Sequence, residues 1–300
     1  MTAPPTTDVR ILSEPEIRNL LLRYRRENWE GIQSPEVQDQ VVEDLLRCDA
    51  DVLLNKVVPY RPISAKSRLL DLGSGVGSFV AACRNKGLHC FGIEPDRIGN
   101  GSELTAIQIA RRRVAQPVFA AAVGESLPFA GRTFDLVAMN QVIEHVSDQS
   151  AVLREATRVL KDGGVLYVAC PNYLRFYEPH YKIFWLPLMP KILGRIYLRL
   201  RGRRPVMLEQ ITYTTNRRLH KLLRNLGAGY TVLDLHREQF LKKRAEGSFA
   251  AWSTRLVSHL TYLPVVGPLI LRSVLWFGSI REGGCEWVVI RRLSSTECER

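Results

Sequence analysis

Residues 69–79 read LLDLGSGVGSF, and residues 92–96 read GIEPD. Each stretch begins with an apolar run typical of a buried strand and continues into residues that suit a ligand. Glycine at every second position lets a ligand approach the backbone where a side chain would collide. The N–H groups of the helix that follows favour an anionic or carboxylate group, and Glu94 suits the two hydroxyls of a ribose. The pair predicts a nucleoside-containing cofactor across the carboxyl ends of two neighbouring strands.

The spacing of the glycines narrows the class of cofactor. The dinucleotide fingerprint requires glycine at its first, third and sixth positions, whereas here Ser78 holds the sixth position and the third glycine comes early, at Gly77. No Gly-Lys-Ser/Thr sequence follows, which excludes a nucleoside triphosphate loop. Alternate glycines with Asp71 two residues before the first resemble motif I of the class I S-adenosylmethionine-dependent methyltransferases.

Four more segments resemble motifs of this family, in the family's order. FDLVAMN (134–140) resembles the family's fourth strand, and QVIEHV (141–146) resembles the loop after that strand. LKDGGVLYV (160–168) resembles its glycine turn and fifth strand, and GESLPF (124–129) resembles its adenine loop. The motifs together span residues 66–173. The Glu144-His145 pair and the ending Cys170-Pro171-Asn172 resemble the branch that contains the ubiquinone-biosynthesis O-methyltransferases, methyltransferase type 11/12.

The resemblance implies an α/β fold with a doubly wound, seven-stranded, mostly parallel sheet of the Rossmann-like class I type, preceded by N-terminal helices. Alternation of apolar runs and helical patterns along the chain favours the same architecture. Strands are expected near residues 68–72, 89–94, 117–122, 134–139, 164–170, 229–236 and 285–291. The antiparallel placement of the last strand is taken from the resemblance.

A single methyltransferase domain is expected over residues 13–300, after a disordered tail of residues 1–12. Ser13-Glu14-Pro15-Glu16 is typical of a capping box, and Ser34-Pro35 is typical of a helix start. The resemblance implies that these two helices cover the cofactor, and simple packing on the sheet is the alternative. The expected parts are a helical cap at 13–60, a cofactor-binding core at 66–172, insertions at 173–213 and 239–283, and a closing helix and strands at 214–238 and 284–293.

The resemblance also implies which residues bind the cofactor. Asp71 supports the glycine loop and the cofactor's amino group, Glu94 accepts from the ribose hydroxyls, and Asn140 faces the methionine portion. Relatives often carry Asp where this chain has Val123, so adenine is expected to be read mainly by backbone groups. The expected set is Asp71, Gly73, Ser74, Gly75, Gly77, Glu94, Gly124, Glu125 and Asn140.

Methyl transfer from such a cofactor is an in-line displacement on a sulfonium carbon, so the protein must align the acceptor and exclude water. A hydroxyl acceptor also needs a base. The first candidate is His145, because imidazole titrates near neutral pH, with Glu144 orienting it or holding a metal. A structural histidine bonded to a loop carbonyl is the alternative. The second candidate is His180, in a segment typical of a substrate wall or of a small aromatic core: Tyr173, Phe176, Tyr177, Glu178 and Tyr181.

A metal ion is the remaining question for this segment. Some ubiquinone-type relatives bind a divalent metal through Glu-x-x-Glu-His after the fourth strand, and here Gln141 replaces the first carboxylate. Gln141, Glu144 and His145 would form a poor site for a hard cation, which prefers several charged oxygens. We therefore predict that no metal is required.

The composition bounds the partners and the compartment. The chain has 42 Lys and Arg against 30 Asp and Glu, a formal net charge of +12, and such a surface is drawn to nucleic acid, anionic lipid headgroups or phosphorylated substrates. The 6 cysteines form no C-x-x-C pair and are expected to be buried thiols in a reducing compartment. Residues 1–10 carry no apolar stretch typical of a secretory signal, so a cytoplasmic protein is expected.

Both insertions are apolar and basic. Residues 191–204 interleave aliphatic residues with Lys and Arg and contain no acid, a pattern that suits an anionic membrane surface. The run 265–277 is interrupted by Pro268 and Arg272, whereas a membrane span needs about twenty apolar residues, so broken helices forming a lid or a monotopic anchor are expected. One hypothesis is peripheral attachment to the inner face of the membrane, with a lipid-like acceptor. The other is a soluble enzyme whose insertions pack on each other.

The favoured function is S-adenosylmethionine-dependent methyl transfer to a small-molecule or lipid-like acceptor, with oxygen as the favoured acceptor atom and nitrogen or carbon as the alternatives. A nicotinamide-dependent oxidoreductase on a similar sheet is one alternative, although the early third glycine weighs against it. A nucleic-acid-binding protein with a methyltransferase-like fold is permitted by the charge. Two observations weigh against this alternative. The basic residues of the chain interleave with bulky aliphatic residues, and the chain lacks the Asn/Asp-Pro-Pro-Tyr/Phe tetrapeptide that base-amine methyltransferases often show after the fourth strand. Cofactor binding without turnover is the last alternative.

Overall fold

The computed structural model describes residues 11–29, 34–96, 104–114, 116, 118–246, 260–262, 264, 267–281 and 284–293, with backbone only for 274 and 276–281. The helices of these ranges are α1 (Glu14–Trp29), α2 (Pro35–Leu46), α3 (Asp51–Val57), α4 (Ser78–Asn85), α5 (Ala106–Arg113), α6 (Gln149–Arg158), α7 (Lys191–Leu200), α8 (Val206–Gln210), α9 (Asn216–Arg224), α10 (Leu235–Glu246) and α11 (Gly267–Arg281). The strands are β1 (Arg68–Leu72), β2 (His89–Glu94), β3 (Phe119–Ala121), β4 (Phe134–Asn140), β5 (Leu160–Pro171), β6 (Tyr177–Glu178), β7 (Ile183–Phe184), β8 (Tyr230–Asp234) and β9 (Gly284–Arg291).

Seven of these strands form one sheet, in the order β3-β2-β1-β4-β5-β9-β8. The pairs from β3 to β5 are parallel. Strand β9 runs antiparallel between β5 and β8, with Cys170 opposite Cys285 and Val165 opposite Ile290. The predicted fold class and the predicted antiparallel last strand are therefore confirmed. Since β1, β2 and β4 are parallel neighbours, their carboxyl ends lie side by side at one edge of the sheet.

Helices cover both faces of the sheet. Successive residues of a strand point to opposite faces, so Leu70 packs with α6 and α9 whereas Leu69 packs with α3, α4 and α5. Each face thus buries its own apolar core. This arrangement is the doubly wound architecture expected from the alternation of strands and helices.

The N-terminal region contains one helix more than the two expected. The predicted capping contact is present, since the Glu16 carboxylate accepts from the backbone N–H and the hydroxyl of Ser13 at 2.8 and 2.7 Å. The additional helix, α3, has only seven residues and buries Leu53, Leu54 and Val57 against the sheet. So short a helix depends on packing rather than on its own propensity, which explains why no pattern predicted it. Residues 1–10 of the predicted tail lie outside the described residues.

The first insertion, residues 173–213, has a core of its own. It comprises the hairpin β6–β7 and the helices α7 and α8. Trp185 is 1% exposed and lies directly under α7, where a Cβ added at Gly194 would come within 2.7 Å of the indole. The residues that form this core are Tyr173, Tyr181, Ile183, Trp185, Met189, Leu198, Met207, Leu208 and Ile211.

The second insertion differs from the expectation of broken helices where it is described. Helix α11 runs without a break from Gly267 to Arg281. Pro268 lies in its first turn, where proline removes no helical hydrogen bond. Residues 247–259 of this insertion lie outside the described residues. Among the helices that are described, none combines the length and the hydropathy needed to cross a membrane.

Candidate active site

The glycine loop between β1 and α4 is built from residues with positive φ. Gly73, Gly75 and Gly77 have φ of 77°, 51° and 78°, a region that L side chains adopt only at a cost. At Gly75 an added Cβ would meet no atom within 4 Å. The backbone at the centre of the loop therefore faces open space, as a ligand that presses against it requires.

Glu94 lies across this loop. Its Oε2 accepts a hydrogen bond from the backbone N–H of Gly75 at 2.9 Å. The loop is fixed to β2 a second time, because the N–H groups of Gly73 and Ser74 both donate to the carbonyl of Ile93. The carboxylate and the glycines that the sequence placed on two separate strands thus form a single groove.

Asp71 lies beneath the loop and is 7% exposed. Burial raises the pKa of Asp71 to about 7, and the negative charge of Glu94 adds to the shift. An acid of this pKa exchanges its proton near neutral pH. A positive group arriving in the groove would favour its ionised form.

Helix α1 packs against the glycine loop, since its Ile17 and Leu21 share an apolar cluster with Val76. Burial raises the pKa of Tyr24, and the charge of Glu94 contributes to that shift, which puts this phenol within electrostatic reach of the carboxylate. Sequence analysis placed no site residue on α1, since Tyr24 reads only as part of the helix's apolar stripe. The packing of α1 beside Val76 is compatible with the interpretation of the N-terminal helices as a cap.

In the expected adenine loop, the Glu125 side chain bonds to the protein itself. The Glu125 carboxylate accepts from the backbone N–H groups of Ser147 and Asp148 at 3.1 and 3.3 Å. Gly124 is packed tightly, since a Cβ there would lie 3.1 Å from Leu72 and from Val152. The Glu125 side chain therefore fastens this loop to the segment after β4, and its backbone remains for recognition.

Asn140 ends β4 and opens onto a cavity of about 230 Å³. Gln141, which follows it with a positive φ of 59°, lines the same cavity. Lys56 and Glu286 line this cavity too, with the Lys56 ammonium 2.8 Å from the Glu286 carboxylate. Lys56 and Glu286 carry no motif and come from distant segments, so sequence analysis had no signal for them.

The three candidate catalytic residues come together although they lie on two segments. One ligand atom from each of Glu144, His145 and His180 lies within 4.8 Å of the others. The two imidazole rings meet edge to face, with centroids 5.4 Å apart. The loop that carries Glu144 and His145 also approaches the glycine loop, because a Cβ at Gly73 would lie 2.4 Å from the Val142 side chain.

Burial sets the proton affinities in this cluster. Glu144 is fully buried and its pKa is raised to about 7, and no other described residue forms a hydrogen bond with its carboxylate. Burial, aided by the charge of His180, lowers the pKa of His145 to about 4. His145 is therefore neutral at pH 7. A hydrogen bond with the backbone of Gln210 acts on the pKa in the opposite direction, and the alternative of a structural histidine stays open.

These three residues are also the ones, among those described, that could hold a metal ion. They offer one carboxylate and two imidazoles, which is few charged oxygens for a hard cation. Gln141 is not among these three residues and lines the cavity beside Asn140. That no metal is required stays a prediction.

A family model described as a methyltransferase domain matches residues 45–235, which include the glycine loop, Glu94 and the histidine cluster. The chain belongs to this family. The interpretation of the motifs as those of S-adenosylmethionine-dependent methyltransferases is thereby confirmed.

Two curated methyltransferases illustrate the relationship. The ubiquinone/menaquinone biosynthesis C-methyltransferase of Xylella fastidiosa is 29% identical over 145 residues, which are 46% of this chain and 55% of that protein. The ubiquinone biosynthesis O-methyltransferase of Rhizobium rhizogenes is 30% identical over 126 residues, 40% of this chain and 50% of that protein. The chain thus spans about half the length of the curated relatives it matches.

A solved structure shows the shared fold. Phosphoethanolamine N-methyltransferase 2 of Haemonchus contortus, in complex with phosphomonomethylethanolamine and S-adenosylhomocysteine, has a TM-score of 0.50 and 14% identity. The matched region covers 93% of this chain and 60% of that protein's chain. The names of the two curated relatives specify carbon and oxygen as acceptor atoms, so the relationship leaves the acceptor atom of this chain open.

Proposed function

We propose that this chain transfers the methyl group of S-adenosylmethionine to an oxygen atom of a lipid-like acceptor. The observation that carries the proposal is the contact between Glu94 and the Gly75 N–H in a chain of the methyltransferase family. It brings a ribose-binding carboxylate beside an open glycine backbone. The two relatives named for quinone biosynthesis support a lipid-like acceptor.

Each groove residue has a role in this proposal. S-adenosylmethionine supplies an activated methyl group on a positively charged sulfur. Glu94 accepts from the ribose hydroxyls, the backbone around Gly75 approaches the ligand, and Asp71 pairs with its amino group. Val142 above the glycine loop and Tyr24 on α1 help to exclude water, which strengthens the electrostatic contacts inside.

The histidine cluster supplies the base for an oxygen acceptor. A base is most effective when its pKa lies near the working pH, and the lowered pKa of His145, about 4, makes that ring a weak proton acceptor. His180 is therefore favoured over His145 as the group that takes the proton. Glu144 is the carboxylate beside both rings.

A cofactor-consumption assay tests the proposed function. Purified protein is incubated with S-adenosylmethionine and either a membrane-lipid extract or a polar extract of the host. We expect S-adenosylhomocysteine and a product heavier by one methyl group in the lipid extract. A chelator should leave the rate unchanged, and loss of activity that magnesium restores would contradict the metal prediction. Failure to bind S-adenosylhomocysteine in calorimetry would overturn the assignment itself.

The titration of Asp71 gives a first prediction. Below pH 7 this carboxyl is protonated in the free protein because its pKa is about 7, and it must ionise to pair with the ligand's amino group. The affinity for S-adenosylhomocysteine should therefore rise with pH and level off above 7, by about eightfold between pH 6 and pH 7.5. Calorimetry across this range checks the expectation. The Asp71→Asn variant should bind weakly with a flat profile, and an unchanged slope in that variant would contradict it.

The proposal includes a cytoplasmic location with peripheral attachment to the inner face of the membrane. The outer side of the first insertion supports this part. Helix α7 buries Gly194 and Leu198 but exposes Ile192, Leu193, Ile196 and Leu200. Residues 179–208 contain no acid and seven cations, namely Lys182, Lys191, Arg195, Arg199, Arg201, Arg203 and Arg204. Exposed aliphatics within a basic segment suit the surface of an anionic bilayer.

A vesicle-binding experiment provides the second prediction. The protein should sediment with vesicles containing phosphatidylglycerol and stay in the supernatant with phosphatidylcholine alone. The variant Ile192→Glu/Ile196→Glu should bind at least about tenfold more weakly, since each buried aliphatic side chain contributes roughly 1.5–3 kcal/mol. Leu293→Glu, at an exposed aliphatic residue after β9, is the matched control. Equal binding by the double variant and the control would remove α7 as the contact.

A further inference from the structure

Glu178 is a buried carboxylate with a defined set of partners. It ends β6, is 0% exposed, and lies in the first insertion rather than in any motif of the sheet. One oxygen lies 2.8 Å from Nδ1 of His180, and the other accepts from the backbone N–H of Tyr181 at 2.7 Å. Burying a charge is costly unless it is bonded in this way. The turn between β6 and β7 thus folds around this carboxylate.

The contact decides which nitrogen of His180 carries the proton. An ionised carboxylate only accepts hydrogen bonds, so Nδ1 of the neutral ring must be the donor and Nε2 the acceptor. The ring plane is fixed as well, because His145 packs against it edge to face at 85°. His180 is therefore presented as a base with its acceptor nitrogen on the side away from Glu178.

The position of the ring relates it to the cofactor groove. The N–H of Thr212 donates to the carbonyl of Glu144 at 2.7 Å, which ties the end of the first insertion to the loop after β4. That loop begins next to Asn140 and contacts the glycine loop through Val142. His180 thus stands at the carboxyl edge of the sheet, where ligands of open α/β folds bind.

We propose that Glu178 is the positioning residue of the reaction: it fixes the tautomer and the orientation of His180, whose Nε2 accepts the proton of the acceptor hydroxyl. This rests on the proposed function. The O–H bond breaks as the new O–C bond forms, and the proton passes to Nε2. The S–C bond breaks, with its electron pair returning to sulfur. The imidazolium that results is stabilised by the Glu178 carboxylate.

The tautomer of His180 is measured first, in the unmodified protein. Long-range ¹⁵N–¹H spectra of histidine-labelled protein, with His180 assigned from the His180→Gln variant, should show the proton on Nδ1. A proton on Nε2 would overturn the proposal, whatever the variants do. The tautomer measurement requires neither the acceptor nor catalytic activity. Failure of this proposal can therefore be distinguished from failure of the proposed function, which absence of S-adenosylhomocysteine binding would reveal.

The variant Glu178→Gln tests the effect on the reaction. Its amide is the same size but can donate to Nδ1, which moves the proton to Nε2 and leaves no acceptor for the substrate. With the membrane-lipid extract as the source of acceptor, we expect kcat to fall by roughly 10²–10⁴-fold while the Kd for S-adenosylhomocysteine stays within twofold. The spectrum should show the switched tautomer. His180→Gln should lose as much, and the double variant no more, because the two residues act as a unit.

Glu209→Gln is the matched control, since Glu209 is a half-exposed carboxylate on the same insertion, paired with Arg195 at 3.4 Å. It should leave kcat and the tautomer unchanged. A kcat for Glu178→Gln within twofold of the unmodified protein would overturn the proposal. So would a loss of kcat without the change of tautomer, because a merely structural role produces that result.

Discussion

Replacing Glu94 by alanine should weaken binding of S-adenosylmethionine by about a hundredfold or more. Under the proposed function, the variant loses a charged acceptor for two ribose hydroxyls, and a hydrogen bond to a charged group contributes about 1.5–3 kcal/mol. It also loses the bond that holds the Gly75 N–H at 2.9 Å in the free protein, so the loop must be ordered by the ligand. The affinity of Glu94→Gln, which keeps one acceptor oxygen, should lie between that of the unmodified protein and that of Glu94→Ala.

Calorimetry with S-adenosylhomocysteine measures this loss directly. Glu36→Gln is the matched control, because it removes the charge of an exposed carboxylate in the first turn of α2 that does not belong to the glycine loop or to β2. It should leave the Kd unchanged, and both variants should unfold at similar urea concentrations. An affinity of Glu94→Ala within a few-fold of the unmodified protein would mean that the ribose is held elsewhere.

Replacing Gly77 by alanine should lower the free energy of unfolding by roughly 2–5 kcal/mol. Part of the loss is the left-handed backbone at φ 78°, which costs a side chain about 1–2 kcal/mol. The rest is overpacking, for which about 1–3 kcal/mol is usual. A Cβ at this position would lie 2.8 Å from the Phe119 ring and 3.2 Å from the backbone Cα of Ala110, which cannot rotate away.

Gly87→Ala separates the two causes. Gly87 has nearly the same φ, 75°, but no atom lies within 4 Å of an added Cβ. Its loss should be only about 1–2 kcal/mol, the backbone cost alone. Urea unfolding of the two variants gives the comparison, and equal losses would show that the contact of Gly77 with α5 is slack.

The fold was largely predictable because its deciding signals are local. The glycine loop and the apolar runs each lie within a dozen residues, and the strands appear where the pattern places them. The antiparallel β9 came from family resemblance, since no local pattern states the direction of a strand. Helix α3 was missed for the opposite reason: its seven residues acquire stability from the sheet they cover, and no signal for this lies in the helix itself.

The candidate site divides along the same line. Asp71, Gly75 and Glu94 were predicted because motif order implies that two strand ends are neighbours. The meeting of His145 with His180 was not predicted, since it depends on how forty residues of insertion fold back onto the loop after β4. The pKa values in the cluster follow from burial, which exists only once that insertion has folded.

The first insertion is a structurally independent module. It encloses its own apolar core around Trp185, begins directly after Pro171 at the end of β5, and ends before Thr214, which leads into α9. Evolution can therefore replace this segment without rebuilding the nucleoside groove. Under the proposed function, one such exchange would alter the acceptor, the base and the exposed aliphatic surface together, so acceptor specificity and membrane attachment would change in a single step.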